Sequence, residues 1–136
     1  MDKIINELYK LSEKAYKNDD VPVGCIIIKD NKVIAKAYNK KVKNNDPTAH
    51  AEILCIKKAA KKLKTNNLND CVLYSSLLPC KMCCEVIKEV RIKKIYYILD
   101  NDKINNNEIQ CLKINIEDNK YLDFKRKIKQ FFINKR

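Results

Sequence analysis

At 136 residues the chain suits one domain, residues 1–136, long enough to bury a core, and its 46% apolar content excludes disorder as a whole. No apolar run approaches the ~20 residues of a membrane span, and the single glycine, Gly24, excludes glycine-rich phosphate loops. The formal net charge of +12 fits a polyanionic partner such as nucleic acid, or else a solvated lysine-rich surface.

Residues 3–17 set Ile4, Ile5, Leu8, Leu11, Ala15 and Tyr16 on one helical stripe. This N-terminal stretch alternates charged and apolar residues, with no apolar h-region and no cleavage site. It does not read as a secretory signal or a transit peptide, so a cytoplasmic location is expected. "VPVGCIIIK" is β-branched and apolar, the mark of a buried strand. Asp30-Asn31 is a turn, and "KVIAKAYN" closes an antiparallel hairpin. "KKVKNNDP" reads as a polar loop. Asp46-Pro47-Thr48 is a helix-start signal, with helical spacing from Ala49 to Leu63. "CVLYSS" is a third strand, and Pro79 opens a helix running to about Val90. "IKKIYYIL" is a fourth strand, "DNDKINNNE" a polar loop, "CLKINI" a fifth strand, and "NKYLDFKRKIKQFFINKR" an amphipathic basic helix. Helices separating the later strands imply crossovers and a largely parallel half-sheet. The expectation is a three-layer α/β/α sandwich around a central mixed five-stranded sheet.

His50 is the only histidine, and it stands two residues before Glu52. A lone histidine is more often a surface or core residue than a ligand. Cysteines decide the matter. Of seven, Cys25, Cys55 and Cys71 lie in apolar runs and read as small buried hydrophobes. Cys80 and Cys83, just after Pro79, stand at i, i+3, which puts both sulfurs at one helix start. Two thiolates and one imidazole form a common three-ligand zinc set with a position left for water. The positive end of the helix would lower the thiol pKa. Glu52 is then free to carry a proton between that water and a leaving group. A structural zinc site, or buried thiols without metal, is the plainer alternative.

An H-x-E followed about thirty residues later by P-C-x-x-C is the known signature of the zinc nucleobase deaminases. "DDVPVGCIII", "AYNKKVKNNDPTAHAE" and "LYSSLLPCKMCC" resemble the tRNA adenosine deaminases that make inosine at the wobble position. The resemblance covers residues 4–99 and returns at "FFINKR". It implies a cytidine-deaminase-like fold, one Zn²⁺ per chain on His50, Cys80 and Cys83, and Glu52 as proton shuttle. It also implies base contacts by Asn39 and by the backbone of Ala51, with a tRNA anticodon stem-loop as substrate. A homodimer, or a heterodimer with a related non-catalytic subunit, goes with it. Two departures stand out: Leu78 replaces the glutamate that usually precedes Pro-Cys, and the stretch after Asp100 is short and lacks glycine. The "KKVK" loop at 40–43 and the tail from Lys125 to Arg136 are the candidate phosphate contacts. A guanine, cytosine or nucleotide deaminase, and an RNA-binding subunit with structural zinc, are the competing readings.

Overall fold

A computed structural model describes residues 1–101 and 109–134. The polar loop expected after Asp100 falls largely outside the described residues. The chain runs α1 (Asp2–Lys17), β1 (Gly24–Lys29), β2 (Lys32–Tyr38), α2 (Lys41–Asn44), α3 (Ala51–Leu63), β3 (Val72–Leu77), α4 (Lys81–Glu89), β4 (Lys94–Leu99), β5 (Gln110–Lys113) and α5 (Asp118–Asn134).

The strands form one mixed sheet in the order β2-β1-β3-β4-β5. β1 pairs antiparallel with both β2 and β3, whereas β4 pairs parallel with β3 and with β5. The hairpin closes through Asp30 and Asn31, at φ 50° and 62°, the left-handed pair that a two-residue turn of primed type demands. Successive residues of β1 feed opposite layers. Cys25 and Ile27 enter the core under α3 and α4, whereas Ile26 enters the core under α1 and α5. The expected three-layer sandwich is therefore present.

Gly24 is required by packing. A Cβ there would lie 2.6 Å from Leu11 Cβ and 2.9 Å from the Leu8 carbonyl oxygen, because α1 rests directly on the start of β1. The buried residues Ile5, Leu8, Leu11 and Ala15 form the face that makes this contact.

Three boundaries depart from the sequence reading. The expected loop at 40–47 contains α2, a single turn with no buried residue of its own. The helix expected from Ala49 starts at Ala51, because the Asp46 carboxylate accepts from the N–H and the hydroxyl of Thr48 and closes a separate turn first. The helix expected from Pro79 starts at Lys81, with Cys80 as its N-cap. Among the described residues, no helix is long and apolar enough to cross a membrane.

Candidate metal and catalytic site

Two helix starts meet beyond the carboxyl end of β3. His50 is the N-cap of α3, with extended backbone (φ −72°, ψ 149°), and Cys80 is the N-cap of α4, also extended (φ −70°, ψ 172°). An N-cap side chain leaves the helix axis freely, so each can point at the opposite helix. This solves the spacing problem of His50 and Glu52. Residues two apart inside a helix diverge, but here one is a cap and the other lies in the first turn.

His50 Nδ1 lies 3.7 Å from Cys80 Sγ and 3.4 Å from Cys83 Sγ. The three donor atoms all fall within 4.8 Å of one another. A tetrahedral zinc with Zn–N near 2.05 Å and Zn–S near 2.3 Å separates its N and S ligands by about 3.6 Å. The donor types and their spacing therefore fit zinc, and these three residues are placed to hold it.

Electrostatics prepare the ligands unequally. Burial lowers the His50 pKa below its ordinary 6.5, helped by the Lys41 charge and opposed by Asp20. A neutral imidazole, the form that ligates a metal, is favoured. Cys83 behaves contrary to the sequence expectation. Its thiol is pushed far above its ordinary range, chiefly by burial and further by the Glu52 and Cys80 charges. Burial outweighs the helix-end effect there, so thiolate formation depends on the metal itself.

Glu52 is only 4% exposed, and among the described residues its Oε1 has no hydrogen-bond partner. A buried carboxylate with an unpartnered oxygen is costly. Burial raises its pKa from 4.5 to about 7, opposed by its own backbone N–H and by the Cys83 thiol. A carboxyl that holds a proton near neutrality, beside three metal donors, is suited to proton transfer.

Asn39, at the end of β2, is buried, and its Oδ1 accepts the Ala51 N–H at 2.7 Å. The family resemblance implies base contacts by both residues. The structure joins them to each other, with Oδ1 engaged by the Ala51 N–H and the NH₂ left to donate. Cys25, Cys55 and Cys71 are buried as expected. Leu78 is buried and its N–H donates to the Leu99 carbonyl, so the residue at the place of the usual glutamate adds an apolar side chain to the interior.

Sequence reasoning passed over Asp20. This carboxylate is buried and accepts the N–H groups of Val21 and Val42, at 2.9 and 3.0 Å. In "KNDDV" it reads as one more polar turn residue. No pattern in the sequence marks it out.

Comparison with known proteins agrees with this geometry. The cytidine and deoxycytidylate deaminase zinc-binding region matches residues 1–99. The tRNA-specific adenosine deaminase of Buchnera aphidicola subsp. Schizaphis graminum is 34% identical over 137 residues, 93% of this chain and 90% of that protein. That of Aquifex aeolicus is 43% identical over 86 residues, 63% of this chain and 57% of that protein, so the chain spans little more than half of this relative's length. The guanine deaminase of Bacillus subtilis is 44% identical over 80 residues, 59% of this chain and 51% of that protein. A solved structure from work on A-to-I editing by tRNA:A34 deaminases superposes with a TM-score of 0.74 at 27% identity, covering 81% of this chain and 95% of that one.

Proposed function

The chain belongs to the cytidine and deoxycytidylate deaminase zinc-binding family, and we propose that it hydrolyses adenosine to inosine at the wobble position of a tRNA anticodon. The observation that carries this reading is Glu52, a buried carboxyl with an unpartnered oxygen at a cluster of three metal donors. A purely structural zinc site has no use for such a group.

His50, Cys80 and Cys83 would hold the ion. Zinc bound there supplies Lewis-acid activation of water near neutral pH. Glu52 accepts a proton at its free oxygen and delivers it to the departing amino group, so that water and adenosine give inosine and ammonia. A pKa of about 7 suits both halves of that transfer. Burial of the carboxyl keeps bulk water from competing for the proton. Asn39 is held by Ala51, and its NH₂ donates to an acceptor on the base.

The RNA part of the proposal draws on the net charge of +12 and on the similarity to the Buchnera aphidicola tRNA-specific adenosine deaminase over almost the whole chain. A flipped base in a small pocket contributes little affinity alone, so cationic contacts to phosphates would supply the rest. Lys40 and Lys41 stand immediately before the loop that leads to His50. Lys125 lines a cleft of about 290 Å³ with Leu77, Asp100 and Tyr121, at the same end of the sheet as the donor cluster. A dimer, of two copies or with a related non-catalytic subunit, belongs to the same proposal. Exposed Val42, on α2, and Met82, on α4 beside Cys83, support it, and light scattering of the purified chain measures it.

A second reading, guanine deamination, is favoured by the similarity to the Bacillus subtilis enzyme. One experiment separates the two. Zinc-loaded protein is incubated with wobble-adenosine stem-loops, free adenosine, guanine and cytosine, and the products are identified by mass. Inosine in the stem-loop alone supports the proposal. Ready turnover of free guanine with no change in the stem-loop replaces it by the second reading.

A further inference from the structure

We propose that Asp20 is a positioning residue for the metal centre: its buried carboxylate fixes the loop that carries His50, so that zinc affinity depends on it. The proposal rests on the zinc reading of the site and is independent of which base is deaminated.

Asp20 ends the turn between α1 and β1 and is 1% exposed. A carboxylate so buried requires charge-assisted hydrogen bonds. Oδ1 accepts the Val21 N–H at 2.9 Å, a local bond. Oδ2 accepts the Val42 N–H at 3.0 Å, reaching across 22 residues to the segment that follows β2. Asp20 is itself anchored, because its N–H donates to the Ala15 carbonyl at the end of α1.

Residues 39–42 hold His50 from both sides. The Lys40 N–H donates to the Ala49 carbonyl at 2.9 Å, and the Ala51 N–H donates to Asn39 Oδ1 at 2.7 Å. His50 is the single residue between these two tethered neighbours. Its ring position is therefore set through a short chain of bonds: α1 to Asp20, Asp20 to Val42, residues 39–40 to Ala49 and Ala51. Cys80 caps α4 and Cys83 lies in it, and neither shares these bonds, so a shift of the His50 loop moves one donor against the other two. The observed 3.4 and 3.7 Å from Nδ1 to the sulfurs leave little slack for a tetrahedral ion.

Asp20→Asn keeps the shape and one acceptor, but turns an NH₂ toward one of the two N–H groups. Zinc affinity, measured by competition with a chromogenic chelator under reducing conditions, should fall about tenfold or more, the usual cost of losing a group that orients a ligand. Circular dichroism should be unchanged. Amide exchange of Val42 and Ala51 in the metal-free protein should speed up. Ser12→Ala is the control, a buried hydroxyl on α1 that donates to the Tyr9 carbonyl and touches none of these bonds. It should lower stability and leave zinc affinity alone. Unchanged affinity in Asp20→Asn overturns the proposal. So does an equal loss in Ser12→Ala, since affinity would then follow stability alone. Failure of Asp20→Asn to fold in saturating zinc also overturns it, because Asp20 would then serve the fold and not the site. If the adenosine reading is wrong, inosine is absent while all of these zinc affinities stand as expected.

Discussion

Glu52→Gln isolates the cost of burying a carboxyl at this site. In the metal-free protein the Glu52 pKa is raised by burial from 4.5 to about 7. A raised carboxyl pKa means that the folded state retains a proton which the unfolded chain releases. The stabilising contribution is fully present below pH 4.5 and is lost as pH rises through 7. At about 1.4 kcal/mol per pH unit, the loss across that window is roughly 3 kcal/mol. Gln keeps the shape and does not titrate. His50 runs the other way: its pKa is lowered, so stability is gained as pH rises through the unfolded value of 6.5, but both proteins share it. The difference between wild type and variant therefore belongs to Glu52. Urea unfolding in chelator and reductant, across this pH range, should show wild type falling relative to Glu52→Gln by roughly 3 kcal/mol. A difference that does not change with pH would refute the reasoning and place Glu52 in a solvated or paired environment.

Other outcomes follow from the same geometry. Metal analysis should find about one zinc per chain in the wild type and little in His50→Ala or Cys83→Ala; wild-type zinc in either variant removes that residue from the ligand set. Because Cys83 is held protonated by burial in the metal-free protein, zinc binding should release protons and tighten as pH rises, measurable by calorimetry in buffers of different ionisation enthalpy. Glu52→Ala should keep its zinc and its fold while turnover falls by ~10²–10⁴-fold, and an active variant would end its role as shuttle. RNA binding should weaken steeply with salt, by about one log unit per log of salt for each phosphate neutralised, and reversing charges from Lys125 to Lys129 should reduce the slope without altering zinc content.

The parts of the molecule that sequence reveals are those where one residue type has one use. The unbroken apolar run of β1 marked a buried strand and the crossover helices marked the layers, and the structure shows why they agree: Cys25 and Ile27 feed one core and Ile26 the other. The donor set was legible because His, Cys and Cys at two helix starts have few other reasons to coincide. The misses share a cause. α2 buries nothing and carries no stripe, and its first turn is held by a carboxylate 22 residues upstream. Asp46-Pro47-Thr48 resembles a helix start, yet the Asp46 side chain is consumed by a turn ahead of the helix. The Cys83 thiol sits at a helix start but answers to burial. In each case a tertiary contact outweighs a local preference, and local preference is what a single sequence displays.

The Asn39–Ala51 bond bears on what the site selects. A free amide can pair with a base edge through both its oxygen and its NH₂, as a bidentate contact that distinguishes adenine. Here Oδ1 is engaged by the Ala51 N–H at 2.7 Å. The remaining NH₂ can only donate, and adenine and guanine both present N7 as an acceptor. On the proposed function, that contact would orient a purine without choosing between the two. Neither proton transfer by Glu52 nor the donor set depends on which purine is present. On the same proposal, selection between an anticodon adenosine and a free guanine would fall to features outside the reacting centre, and charge is one of these. A free base offers no phosphate to a surface carrying +12, whereas a stem-loop offers many. Asn39→Ala should then lower turnover of any purine accepted, while leaving the salt dependence of RNA binding as it was. If Asn39→Ala instead shifts the preference between stem-loop and free guanine, selection resides in the pocket, and the surface charge plays no part in it.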